Sequence, residues 1–421
     1  MAVRRTVRTG LVGLAAAMVL TGLSLPAEAA PGGSVLAQRH AATQRAMDAM
    51  VAAGSPGVTA MVVDKGAVWR GTSGVGDLRS GAPRGADDRF RIGSVTKTFV
   101  ATVLLQMEAE GKLDLDDTVE DWLPGLVRGN GNDGHAITVR QLLNHTSGLY
   151  NYTSDPTFLN RNLLAGFPAH RFDTHTPREL VRVALAHRPD FAPGDRHSYS
   201  NTGYILAGLI IERISGRGYG QEIRARVIEP LGLRATTIPG DDPFMPRPSG
   251  RAYSKLSRDA GATKVHDVTE HNMSWGWAAG EAISTTGDLN RFFGALMRGR
   301  LLPAKQLAAM QTVVPAPDDP YYSGYGLGLY TVRTTCGVPL WSHGGGTPGS
   351  DTDVVTTPDG RHTLAYNRNG DWGDLGGIVE AEFCGRSETS RATETPGASG
   401  ASWASGAPGT AGDGVRPTPR P

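Results

Sequence analysis

The chain has 421 residues, 42 of them lysine or arginine and 41 aspartate or glutamate, for a formal net charge of +1 at pH 7. That balance, with no basic stripe along the sequence, argues against a nucleic-acid partner. The length suits one large domain or two intimate lobes.

Residues 1–30 begin with Arg4, Arg5 and Arg8, continue as an apolar run over 11–25, and end in Ala27-Glu28-Ala29. This is the layout of a signal peptide with a small-residue cleavage site, and it predicts a secreted, extracellular protein. A retained anchor helix is the alternative, although the run is short and is interrupted by Thr21, Gly22 and Ser24. Residues 34–53 then show amphipathic helical spacing, and 58–63 and 67–70 read as paired strands. From Ser94 the pattern turns helical for a long stretch, with capping boxes at Thr138-Val139-Arg140-Gln141 and Thr176-Pro177-Arg178-Glu179. Residues 201–214 and 219–228 read as further helices. Strand character returns at 325–332 and 339–342, then in a hairpin of 354–357 and 362–366 around Pro358-Asp359-Gly360.

A last amphipathic stretch, 375–383, ends at Cys384, which with Cys336 makes up the cysteine content. In an oxidising compartment two cysteines most simply form one disulfide, here tying the terminal helix to the sheet. Residues 386–421 are almost all Ser, Thr, Ala, Gly and Pro and cannot bury enough apolar surface to order themselves. A disordered tail is expected, with a cleaved pro-segment or wall-spanning stalk as the alternative. Strands at both ends of the sequence must meet in one antiparallel sheet, so a mainly helical lobe over roughly 100–310 is inserted into a domain spanning 31–385. The fold class is α/β of the α+β type.

The chemistry concentrates in three motifs. Ser94-Val95-Thr96-Lys97 places a hydroxyl and an amine one helical turn apart, at the start of a helix whose Val95, Phe99, Val103 and Met107 repeat along a core-facing stripe. A neutral amine there can take the serine proton as the hydroxyl attacks, and burial and the helix dipole both favour that neutral state. Among the six lysines only Lys97 has a serine three residues upstream. Tyr199-Ser200-Asn201 is the one Y-x-N, and His343-Gly344-Gly345 the one H-x-G. No H-E-x-x-H or C-x-x-C is present, so neither metal nor cofactor is expected. His145 and His197 read as structural.

In this order the motifs resemble the penicillin-recognising serine hydrolases of the class C β-lactamase and DD-carboxypeptidase group. The resemblance runs over about 36–385 and extends to Gly111-Lys112-Leu113-Asp114, His145-Thr146-Ser147-Gly148-Leu149 and Tyr325-Gly326-Leu327-Gly328. Class A enzymes pair S-x-x-K with S-D-N and K-T-G, which this chain lacks, so the tyrosine branch is implied. The nearest likeness is to the secreted DD-carboxypeptidases of Gram-positive bacteria.

The resemblance implies a β-lactamase and penicillin-binding-protein-like fold and a set of roles. Ser94 is the nucleophile and Lys97 its activator. Tyr199 shuttles a proton to the leaving amine, with a pKa lowered by the neighbouring cation. Asn201 holds a substrate carbonyl oxygen or caps the helix that follows it. His343 replaces the lysine of K-T-G. Gly344, Gly345 and Gly346 let a substrate backbone approach the strand, and the N–H groups of Ser94 and Gly346 form an oxyanion hole. Trp275 matches a cleft-wall aromatic, with a buried core tryptophan as the equal alternative.

One departure bears on substrate. Relatives of the carboxypeptidase type grip the terminal carboxylate with an arginine on the strand before the histidine and with hydroxyls after it. Here Tyr330 takes the arginine position and glycines replace the hydroxyls, while Arg333 serves only if the register differs. The expected activity is a secreted D-alanyl-D-alanine carboxypeptidase acting on peptidoglycan stem peptides as a monomer, with β-lactams acylating Ser94. The alternatives are an esterase, a D-aminoacyl hydrolase or a β-lactamase with no free-carboxylate requirement.

Overall fold

The computed structural model describes residues 40–259, 261–317, 319–373 and 377–385. The expected signal peptide, the first residues of the 34–53 helix and the 386–421 tail lie outside these residues.

Helix α1 (Ala41–Ala52) leads into β1 (Gly57–Asp64) and β2 (Ala67–Gly74). The two-residue connection Lys65-Gly66 has φ of 50° and 90°, the doubly left-handed geometry of the tight turn that matches strand twist. The sheet is completed from the other end of the chain by β3 (Val314–Pro315), β4 (Gly324–Tyr325), β5 (Tyr330–Val332), β6 (Leu340–Thr347), β7 (Ser350–Thr356) and β8 (His362–Arg368). Its order is β2-β1-β8-β7-β6-β5-β4-β3, with every neighbouring pair antiparallel.

β1 is buried almost throughout because both of its faces are covered. Val58, Ala60 and Val62 pack with Leu364 and Tyr366 against Met47 and Met50 of α1 and Ile378 and Ala381 of α5 (Ile378–Cys384). The opposite face meets α4 (Thr286–Met297), where Asn290 donates to Met61 O at 2.9 Å. β2, at the sheet edge, alternates between partly buried and exposed, as a strand covered on one face should.

Between Thr96 and Met310 the regular elements of the described chain are helices apart from two-residue strands, joined by irregular stretches. Its centre is α2 (Thr96–Ala109), buried at all but three of its fourteen residues. The single apolar stripe read from the sequence therefore understates it: the helix is enclosed, with Phe99 stacked on Phe292 at 3.8 Å and α3 (Asn201–Ser215) packed alongside.

Two strand readings need correction. Residues 325–332 form two short strands, because Gly326 N donates to Leu329 O and Gly328 turns at φ 74°. A Cβ at Gly328 would sit 2.8 Å from Ala101 Cβ and 3.1 Å from Lys97 O, so this turn can dock on α2 only as glycine. β6, in turn, does not stop at Ser342 but continues through the glycine triplet to Thr347. Cys336 and Cys384 are brought together with Cα atoms 5.7 Å apart and sulfurs in bonding contact, the spacing a disulfide requires.

Candidate active site

Ser94 lies in a 3-10 turn, Gly93–Val95, that feeds directly into α2. Gly93 has φ 50°, and a Cβ on it would come within 2.7 Å of Gly346 N. A Cβ on Gly345 would overlap Ile92 O and lie 2.5 Å from Ser94 N. Backbone meets backbone here, and that contact joins the nucleophile turn to β6. The close approach that the sequence assigned to a substrate is, at Gly345, made by the protein itself.

On the other side of β6, Gly344 N donates to Tyr330 Oη at 2.6 Å. Successive residues of a strand face opposite ways, so Gly346 N points to the same edge as Gly344 N. β5 pairs with β6 only as far as Ser342, and beyond it that edge faces the Ser94 turn.

Lys97 is fully buried, and its Nζ has three oxygen neighbours: Ser94 Oγ at 2.8 Å, Asn201 Oδ1 at 2.7 Å and Ala279 O at 2.6 Å. Burial holds its pKa well below the ordinary lysine value. Of the three neighbours, the amide oxygen and the carbonyl can only accept. A neutral amine gives both of its N–H bonds to them, which leaves its lone pair toward the one neighbour that can donate, the Ser94 hydroxyl. Asn201 and Ala279 thus orient Lys97 as a base.

Asn201 is fully occupied by that task. Its Nδ2 donates to Thr153 Oγ1 at 3.1 Å and to Asn151 Oδ1 at 3.3 Å, so in this structure no amide hydrogen remains for a substrate carbonyl and its side chain caps no helix. Thr153 and Asn151 carried no signal in the sequence; Asn151 precedes the short 3-10 turn Tyr152–Ser154 and Thr153 lies within it.

Tyr199 lines the cleft together with Ser94, and its ring lies 5.0 Å from Lys97 Nζ. Burial raises its pKa above the ordinary phenol value, opposite to the lowering expected from a neighbouring cation. The reason is that Lys97 is itself held toward neutrality, so no strong positive charge favours a phenolate. The Tyr199 ring rests against His145 at 4.2 Å, whose Nδ1 accepts from Ser200 N at 3.2 Å. His145 therefore shapes the Tyr199 loop.

His343 donates from Nδ1 to Gly344 O at 2.6 Å, which makes Nε2 the acceptor of the Tyr325 hydroxyl at 2.8 Å. Burial, followed by the nearby Lys97, pushes its pKa down to about 3. It stands in the cleft wall as a neutral imidazole with both nitrogens engaged. It does not reproduce the cation of a K-T-G lysine.

The cleft is lined by Ser94, Tyr199, His343, Gly344 and Gly345, joined by Tyr321, Tyr322, Tyr330, Tyr366, Asp351, Thr352 and Asp353. Trp275 is absent from this lining: it is buried in the main core, and its carbonyl accepts from Tyr152 Oη at 2.7 Å. Arg333 is exposed one residue beyond β5 and does not line the cleft either. Tyr330 was singled out in the sequence, but Tyr321, Tyr322, Tyr366 and the aspartates went unnoticed because they come from two separate strands and a loop, with no spacing in common.

A beta-lactamase family model matches residues 43–376, nearly the whole described chain. The chain belongs to the beta-lactamase family. With the Ser94 and Lys97 geometry, this makes it a serine hydrolase of the β-lactamase and penicillin-binding-protein fold. The D-stereospecific amidohydrolase from a Streptomyces species superposes with a TM-score of 0.78 at 54% identity, covering 82% of this chain and 99% of that one. The D-amino acid amidase from Ochrobactrum anthropi SV3, in complex with D-phenylalanine, gives 0.71 at 30% identity over 82% and 96%. Penicillin-binding protein 4* of Bacillus subtilis is 27% identical over 304 residues, 70% of this chain; the match spans 64% of that relative's own length.

Proposed function

We propose that the protein hydrolyses amides and esters of D-amino acids through an acyl-enzyme on Ser94, and that it is not primarily a carboxypeptidase. Lys97 Nζ takes the hydroxyl proton as Ser94 Oγ attacks the carbonyl carbon. The oxyanion forms between Ser94 N and Gly346 N, where a preorganised N–H pair typically contributes a 10²- to 10³-fold rate gain per donor. The proton then passes through Tyr199 to the leaving nitrogen or oxygen, the C–N or C–O bond breaks, and water repeats the sequence to release the acid.

The observation that carries the substrate reading is the cleft lining, which among the described residues contains no arginine and no lysine. Tyr330, at the position where a carboxylate-gripping cation was sought, accepts a hydrogen bond from Gly344 N at its hydroxyl oxygen. A free C-terminal carboxylate entering this cleft meets no cationic side chain in its lining. The similarity to a D-stereospecific amidohydrolase and a D-amino acid amidase supports the same reading. Export through the amino-terminal signal peptide belongs to the proposal.

The test compares kcat/KM for D-phenylalanine amide, L-phenylalanine amide, a D-alanyl ester and a peptide ending in free D-Ala-D-Ala. D-Amide and D-ester should lead, and benzylpenicillin should leave one adduct that maps to Ser94 and disappears in Ser94→Ala. A tenfold or greater preference for the free-acid peptide sinks the proposal.

A further inference from the structure

The cleft lining contains two aspartates that catalysis by Ser94, Lys97 and Tyr199 does not use, and one of them stands without a basic partner. Asp353 projects from β7 opposite Gly344 and is only partly buried. Its Oδ1 accepts from Ser342 Oγ at 2.7 Å, and no basic side chain pairs with it among the described residues. The other lining aspartate on this strand is different: Asp351 is held by Arg368, whose Nε donates to Oδ2 at 3.0 Å.

Two further features point to what Asp353 meets. Gly344 lacks a side chain where a Cβ would lie 2.9 Å from Tyr330 Oη and 3.7 Å from Asp353 Oδ1, so the glycine leaves the carboxylate open to the cleft. The rings around it are tyrosines, Tyr322, Tyr330 and Tyr366, and the stack of Tyr322 on Tyr330 at 4.7 Å makes a fixed aromatic wall. A carboxylate framed by aromatic faces, in a cleft whose histidine, like the buried Lys97 behind Ser94, is held neutral, is complementary to a cation. Burial raises the Asp353 pKa to about 6, the behaviour of a carboxylate with no counter-ion in place.

We infer that Asp353 is the specificity-determining residue of this cleft and binds an ammonium group of the substrate. The inference rests on the hydrolase reading above and extends it to the charge of the substrate. The ammonium can belong to the acyl side, as the α-amino group of a D-amino acid, or to the leaving group, as a cationic amine.

The experiment measures kcat/KM for matched pairs with wild-type protein and with Asp353→Asn, which keeps the shape and the Ser342 contact while removing the charge. The acyl-side pair is D-phenylalanine p-nitroanilide and its N-acetyl derivative; the leaving-side pair is an aminoethyl amide and the corresponding propyl amide. In one pair the wild-type preference for the cationic member should fall at least tenfold in the variant, and the pair that responds identifies the source of the ammonium. A ratio held within threefold in both pairs overturns the inference.

A second measurement needs no variant. Phenethylamine should inhibit wild-type hydrolysis of a neutral p-nitrophenyl ester at least tenfold more strongly than phenylpropanoate, and equal inhibition refutes the anchor. That ester also separates the two readings: its hydrolysis tests the Ser94 chemistry, and loss of ammonium preference alongside it concerns Asp353 alone.

Discussion

Replacing Asn201 by aspartate changes one atom beside Lys97 and should disable the base without removing it. The substituted carboxylate would lie about 2.7 Å from Nζ, the distance of the present amide oxygen. At an effective dielectric of about 20, a unit charge pair at that distance interacts by about 6 kcal/mol, equivalent to roughly four pKa units. Lys97 would then hold its proton across the neutral range and could not accept another from Ser94. kcat/KM for a D-amino acid amide at pH 7 should drop at least a hundredfold, a typical cost for losing a positioned base. The informative readout is the pH profile. Lys97 must be neutral to act, so activity rises with pH through its pKa, and in Asn201→Asp that limb should move at least two units toward alkaline pH with partial recovery above pH 9. A variant that is slow by the same factor at every pH would show only damaged packing, and one with wild-type rates at pH 7 would refute the role assigned to the Lys97 environment.

Two other outcomes are expected. Glu281 is fully buried two residues beyond Ala279, accepts the Tyr219 hydroxyl, and has its pKa pushed up to about 8 by burial. The native state therefore keeps a proton that the unfolded chain releases near 4.5, so stability falls as pH rises between those values, by up to about 5 kcal/mol in total. Glu281→Gln should flatten that dependence and gain melting temperature over wild type at pH 9 relative to pH 5, and an unchanged slope between the two pH values would contradict it. Protein recovered from the medium of an exporting host should begin near Pro31 and show no titratable thiol, and Cys336→Ser should cost about 4 kcal/mol for the lost closure of a 48-residue separation. Two free thiols in that protein would rule the cross-link out.

The nucleophile, its activator and their framing motifs were legible because each depends on short-range spacing. Ser94 and Lys97 share a face by helical geometry, and Tyr199 and His343 sit beside residues that mark them locally. The sheet was legible for a related reason: alternation and turn chemistry identify 58–63, 67–70 and 362–366 with little reference to the rest of the chain. What escaped was decided by long-range packing. Residues 325–332 alternate like a strand, yet the docking of Gly328 against Ala101 bends them into two. Asn201 reads as a substrate ligand until Asn151 and Thr153, some fifty positions earlier, are seen to take both of its amide hydrogens. Trp275 matched a cleft wall by sequence neighbourhood alone, and the core claimed it.

The same long-range burial gives the site its electrostatic character. Desolvation lowers the pKa of Lys97, His145 and His343 and raises that of Tyr199, Tyr325 and Tyr330, so every one of these groups is driven toward its neutral form. A resting cluster without net charge has little to gain from binding a charged ground state near Ser94. In the proposed mechanism the first charges arise when the serine proton reaches Lys97 and the oxyanion appears between Ser94 N and Gly346 N. Dipoles that are already oriented, Asn201 and Ala279 on the lysine and the two N–H groups on the oxygen, then act in a low-dielectric setting with no solvent to reorganise. Burial that is costly for isolated ions is thus directed at the transition state, and the proposed reading of substrate charge falls to Asp353, a lining carboxylate with no basic partner among the described residues.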